Sequence, residues 1–269
     1  AKVAAIMPVH VAGLPCRMAE LLALARRGGQ AVVEDAAHCL PRRGVKAEPG
    51  TLGEVGVYSF YATKPITTGE GGMVVTASEP LARRMRLMRL HGIDRDVWDR
   101  YRSPSGSWYY EVQEPGFKYN LPDLAAAIGR VQLAKADELR AVRVAIADDY
   151  QRAFADLDCL QLPAQDPRHS WHLYLIRLLE DRLSLGRDEF IQALRAEGIG
   201  ASVHFIPLHA MPYYRRTYGL SPADFPVAWS GYRRALSLPI FPGMSEEQVQ
   251  RVIQAVQRIA LRHRRPQAR

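Results

Sequence analysis

From residue 3 to residue 90 short apolar runs alternate with amphipathic stretches of helical period, a rhythm that a layered α/β sheet accommodates and an all-helical or all-strand core does not. Residues 3–11 read as a buried strand, residues 16–27 as a helix closed by Gly28 and Gly29, and residues 31–34 as a second strand. Residues 55–60 and 72–76 add two short strands, and residues 79–90, opened by Ser78 and Pro80, add a helix. Ligands of such sheets gather beyond the carboxyl ends of the strands, which is where Asp35 and Ser59 fall.

After Pro122 and Asp123 the pattern changes. Leu124, Ile128, Val131, Leu139, Val142, Ile146 and Tyr150 recur at helical steps and predict one long helix joining two lobes. Beyond it the sequence predicts a strand over 171–178, a helix over 187–197 stopped by Gly198, a strand over 201–206 and a last helix from Ser245. In that last helix Ser245 and Gln248 form a capping box, and Val249, Val252, Ile253, Val256 and Ile259 make the buried stripe. A chain of 269 residues with 48% apolar content can bury a large core and is expected to divide, here into residues 1–135 and a smaller α+β unit over 136–269 that includes the linking helix.

Composition narrows the function classes. The apolar runs are far shorter than the ~18 residues of a membrane span, and no charged-then-apolar leader opens the chain, so a soluble cytoplasmic protein without a membrane partner is expected. Cys16, Cys39 and Cys159 lack the paired spacing of zinc or redox motifs; they read as reduced packing thiols, and no metal site is implied. The net charge of +8 is spread and carried mostly by arginine, with one tail cluster at His263-Arg264-Arg265. This reads as a solvated basic surface with a frayed terminus, or as a field that draws in phosphate-bearing substrates; a nucleic-acid partner is not required.

The chemistry concentrates in two segments. Lys64 sits in Tyr58-Ser59-Phe60-Tyr61-Ala62-Thr63-Lys64-Pro65, just past an apolar strand and ahead of the turn Thr68-Gly69-Glu70-Gly71-Gly72. Upstream, a strand ends in Glu34-Asp35-Ala36-Ala37-His38. Together they offer an amine able to form a Schiff base and a carboxylate able to keep a ring nitrogen protonated, the two protein groups that pyridoxal phosphate chemistry most needs.

Those strings, with Gly72-Met73-Val74-Val75-Thr76, His91-Gly92, Gly116-Phe117-Lys118-Tyr119-Asn120, Ala125-Ala126-Ala127-Ile128-Gly129, Gln132-Leu133 and Val203-His204-Phe205, resemble in order the DegT/StrS-type sugar aminotransferases. Gly116 to Asn120, Trp171-His172-Leu173 and Ser237-Leu238-Pro239 are similar to the branch acting on UDP-linked 4-keto sugars, such as the 4-amino-4-deoxy-arabinose aminotransferases.

The resemblance implies a fold-type-I transferase with a three-layer large domain and a small α+β carboxyl-terminal domain, and pyridoxal 5'-phosphate as cofactor. It implies a homodimer with shared sites and the transfer of an amino group from an amino acid, by family expectation glutamate, to a nucleotide-linked 4-keto sugar. Lys64 becomes the Schiff-base lysine and proton carrier, and Asp35 the partner of the pyridine nitrogen. His38 is placed against the phenolic oxygen and Ser59 at the phosphate. Either Lys118 or Asn120 reaches the phosphate of the neighbouring subunit's site, and His204 lies near the sugar nucleotide. Trp98-Asp99-Arg100-Tyr101 is either a border of the substrate entrance or a packed aromatic loop.

Against the family pattern, the chain begins in a strand that normally lies well inside the large lobe. A segment on the order of a hundred residues, carrying further phosphate-binding amides and the ring that stacks on the pyridine, is expected upstream. A family dehydratase would replace Lys64 by histidine. A catalytically inactive remnant, or a non-enzymatic interaction module of the same fold, stays open at this level.

Overall fold

The computed structural model describes residues 3–94 and 109–265. Contacts group the chain into two compact units, one of Ala1–Val11 with Pro15–Ala136 and the other of Ala12–Leu14 with Asp137–Arg269. Among the described residues no helix is long and apolar enough to cross a membrane.

The first unit is built on strands β1 (Ala5–Ile6), β2 (Ala31–Asp35), β3 (Val55–Ser59) and β4 (Gly72–Val75), hydrogen-bonded in that order. β1, β2 and β3 are parallel, and β4 runs antiparallel to β3. Helix α1 (Met18–Gly28) makes the crossover from β1 to β2, and its Met18 and Ala25 pack against Val32. The strand expected over 3–11 is shorter because Pro8 has no N–H to give the ladder. Pairing resumes past it: Pro8 O accepts the Asp35 N–H at 2.9 Å, and Val9 bridges Asp35.

The turn between β2 and β3 lies very close to β3. Gly50 takes φ +92°, a conformation that disfavours any β-carbon, and its carbonyl rests where a β-carbon on Gly56 would have to sit. Tyr58 pins the same turn by donating its hydroxyl to Pro49 O at 2.7 Å.

Helix α2 (Glu79–Met88) follows β4, with Ser78 at its N-cap and Pro80 in its first turn. The single long helix expected after Asp123 is two, α3 (Asp123–Ala134) and α4 (Ala136–Phe154). Lys135, at φ −94° and ψ 0°, leaves helical geometry between them. Three- and four-residue apolar steps continue through such a break, so periodicity alone does not reveal it.

The second unit holds an antiparallel sheet of β5 (Leu160–Gln161), β6 (Tyr174–Leu178) and β7 (Ala235–Leu238). β6 starts later than expected because Trp171 adopts φ +47°, while the N–H groups of Ser170, His172 and Leu173 go to the carbonyls of Gly13 and Ala12 instead of a ladder. The strand expected over 201–206 reduces to one bridge, Ser202 to Ser237. Helices α5 (Arg187–Ala196), α6 (Pro212–Tyr218), α7 (Pro226–Arg234) and α8 (Glu246–Arg262) complete the unit. Ser245 caps α8 as expected, its Oγ accepting the Gln248 N–H at 3.2 Å.

The basic tail is less free than its composition suggested. Arg264 pairs with Asp158 at 2.9 Å, and the Arg265 N–H donates to Arg182 O.

One core fills this unit, joining Tyr150 and Phe154 of α4, Tyr174 and Ile176 of β6, Phe190 of α5, Leu236 of β7 and Val256 of α8. Phe190 is wholly buried. Phe190→Ala should cost about 3–5 kcal/mol through lost transfer energy and the cavity left behind. Urea denaturation followed by far-ultraviolet circular dichroism would measure it, and a loss under ~1 kcal/mol would mean that the core collapses around the gap.

Candidate active site

The carboxyl edge of the first sheet collects the chemistry. β2 ends in Asp35, which lies half-buried and accepts the Ala37 N–H on Oδ1 at 3.0 Å. Oδ2 has no hydrogen-bond partner among the described residues and can take a further donor. On the neighbouring strand Ser59 closes β3, paired with Gly72, and its Oγ accepts the Tyr61 N–H at 3.3 Å.

From Phe60 the chain makes a closed loop with Lys64 within it. The Lys64 N–H returns to Tyr61 O at 3.0 Å, the Thr68 N–H to Phe60 O at 2.9 Å, and the Phe60 N–H reaches Gly71 O at 2.8 Å. Gln132 of α3 accepts the Thr67 N–H at 3.3 Å and ties the loop to that helix. Lys64 Nζ has no hydrogen-bond partner among the described residues. Burial holds the Lys64 pKa below the ordinary lysine value, and the charge of Asp35 pulls the other way. The structure therefore brings the amine and the acid into one electrostatic neighbourhood. A lysine shifted towards its neutral form is a competent nucleophile for a carbonyl.

The other residues singled out from sequence divide. His38 lies half-buried in the turn that follows Asp35. The Lys118 ammonium donates to Asn120 Oδ1, so these two candidates form one polar pair. His204 belongs to the second unit, where its Nδ1 and Ser237 Oγ are 2.9 Å apart. Trp98-Asp99-Arg100-Tyr101 lies outside the described residues. Among the described residues no cluster of His, Cys, Asp and Glu could hold a metal ion.

Sequence reasoning missed a buried network directly behind Asp35. Glu34 and His10 are both 0% exposed. Glu34 Oε2 accepts from His10 Nε2 at 2.9 Å and from the Gly50 N–H at 2.8 Å; Oε1 accepts the Leu52 and Gly53 N–H groups, each at 2.6 Å. Burial alone would raise the Glu34 pKa, and these four donors bring it below the ordinary glutamate value, so the carboxylate is ionised.

Burial disfavours a charge on His10, whereas the Cys16 and Glu34 contacts more than offset this and would push its pKa up to about 9. The Cys16 N–H, however, points at His10 Nδ1 from 3.0 Å and needs the lone pair that a second proton would take. That hydrogen bond decides for the neutral ring with its proton on Nε2. The available sequence signal was Glu34 itself, an acid at an inward position of a buried strand.

An amine shifted towards neutrality, a carboxylate with one open oxygen and a strand-end hydroxyl fit the aldehyde, ring nitrogen and phosphate of pyridoxal phosphate. The fold is that of a pyridoxal-phosphate-dependent transferase of mixed α/β architecture. The chain belongs to the DegT/DnrJ/EryC1/StrS aminotransferase family, whose model matches residues 1–257.

It is 46% identical to the spore coat polysaccharide biosynthesis protein SpsC of Bacillus subtilis over 258 residues, 95% of this chain and 66% of that protein. Among solved structures it is similar to Helicobacter pylori PseC, an aminotransferase involved in the biosynthesis of pseudoaminic acid, with TM-score 0.85, 28% identity and coverage of 96% of this chain and 67% of that one. Streptococcus pneumoniae Spr1654 in its PLP form aligns with TM-score 0.84 at 26% identity, over 96% of this chain and 69% of that one. The chain thus spans about two thirds of the length of these relatives.

Proposed function

We propose that the protein transfers an amino group from an amino acid, glutamate, to the keto carbon of a nucleotide-linked 4-keto sugar, the nucleotide being UDP. The observation that carries this reading is that the Lys64 amine, its pKa held down by burial, lies within the electrostatic reach of the Asp35 carboxylate at the carboxyl edge of the sheet. The sugar class is supported by the branch resemblance of residues 116–120 and 237–239 and by the pathway named for PseC. In the net exchange the amino acid becomes a 2-keto acid and the sugar's C4 carbonyl becomes an amine, with no external oxidant or reductant.

When bound, pyridoxal phosphate supplies an aldehyde to hold the travelling amino group and a ring that accepts an electron pair. Lys64 would supply the amine that holds the cofactor, and its Nζ would take the proton from the donor's α-carbon and deliver one to the sugar's C4. Asp35 Oδ2 keeps the proton on the ring nitrogen. His38 orients the phenolic oxygen and Ser59 donates to the phosphate. Either Lys118 or Asn120 would reach the phosphate of the partner subunit's site in a homodimer, and His204 would lie near the sugar nucleotide.

Borohydride trapping of the cofactor on Lys64 tests the site. For the substrate, a UDP-4-keto sugar should show kcat/KM at least about tenfold above the free keto sugar, because nucleotide contacts supply binding energy usable at the reacting carbon. Coupled assays of 2-ketoglutarate release compare the two; equal values would refute the nucleotide-linked substrate.

A further inference from the structure

We infer that His10 and Glu34 act as a clamp that positions Asp35 against the cofactor's ring nitrogen. This rests on the place proposed above for Asp35 and extends it to two residues that touch neither substrate nor cofactor.

Successive residues of a strand face opposite ways, so Glu34 enters the interior while Asp35 stays half-buried at the site. Both Glu34 oxygens are filled, by His10 Nε2 and by the N–H groups of Gly50, Leu52 and Gly53. His10 also acts through its backbone: its N–H donates to Asp35 O at 3.0 Å, while the Asp35 N–H donates to Pro8 O at 2.9 Å. The N–H and the carbonyl of the acid are thus both held by residues 8–10, and its neighbour's side chain is gripped by the same histidine.

An ionised carboxylate is an expensive way to fill a core, since an apolar side chain of the same volume commonly does so at no loss of stability. Its directional bonds give something that an apolar side chain does not, a fixed position for the next residue. Placement matters because a reacting or stabilising group displaced by ~1 Å can lose about 100-fold in rate. The Asp35 side chain itself has one internal tie, the Ala37 N–H, so its aim depends on where its backbone sits.

The test compares His10→Leu, His10→Gln and Asp35→Asn by the dissociation constant for pyridoxal phosphate and by the pH midpoint of the bound cofactor's visible band. His10→Leu fills the space without the bonds. It should weaken cofactor binding about tenfold or more, as loss of a supporting hydrogen bond does at metal sites, and move the band midpoint in the same direction as Asp35→Asn. In His10→Gln the amide can donate to Glu34 and accept from the Cys16 N–H, and both readouts should return to within about threefold of wild type.

A folded His10→Leu with wild-type affinity and band midpoint would overturn the clamp while leaving Asp35 in place. So would a His10→Gln as impaired as His10→Leu. A silent Asp35→Asn would overturn both assignments. Hydrogen exchange on the unmutated protein decides the matter even if His10→Leu does not fold. Coupling is reciprocal, so saturating cofactor should slow exchange of the Gly50, Leu52 and Gly53 amides, and unchanged rates there would overturn the clamp.

Discussion

Lys64→Ala should abolish borohydride-stable incorporation of pyridoxal phosphate and lower turnover by about a thousandfold or more, since it removes the covalent anchor and the proton carrier together. Peptide mapping of the reduced protein should place the label on Lys64 and not on Lys46, Lys118 or Lys135. The pH dependence carries a sign. Burial favours the neutral amine and so lowers the Lys64 pKa, which means that its reactive fraction rises at lower pH than that of an exposed lysine. Labelling at mildly alkaline pH should therefore favour Lys64, and a label found mainly on another lysine would refute the assignment.

Asp35→Asn should cost about 100-fold or more in kcat, the scale of removing one electrostatic stabiliser, with KM for the amino donor changed less. The amide can keep the bond from the Ala37 N–H but carries no charge with which to hold a proton on the ring nitrogen. Steady-state kinetics with both substrates would show the split. A turnover number within about twofold of wild type, well short of that stabiliser-sized loss, would remove Asp35 from the mechanism.

How far the sequence reveals this arrangement depends on the range of the interaction. The ends of β2 and β3, and with them the neighbourhood of Asp35 and Ser59, follow from apolar runs a few residues long. α8 follows from a stripe and a capping box that are both local. Failures arise where the deciding contact is distant. The expected strand over 201–206 keeps one bridge to Ser237, and Trp171 leaves the strand because its neighbours bond to Ala12 and Gly13. The partners of Glu34 lie 24, 16, 18 and 19 residues away, so no window of helical or strand period contains them. His10 is one polar residue in the run 3–11, and what it does depends on an acid on the adjoining strand.

The close approach of Gly50 to Gly56 ties the buried Glu34 carboxylate to a residue that has no side chain. The turn that lends its amides to Glu34 can sit where it does because position 56 presents a bare α-carbon to the Gly50 carbonyl. A methyl group there would lift the turn and with it the amides that hold the carboxylate. Which amino acids position 56 tolerates is therefore set by the acid one strand away, and a catalogue of polar side chains would pass over this glycine.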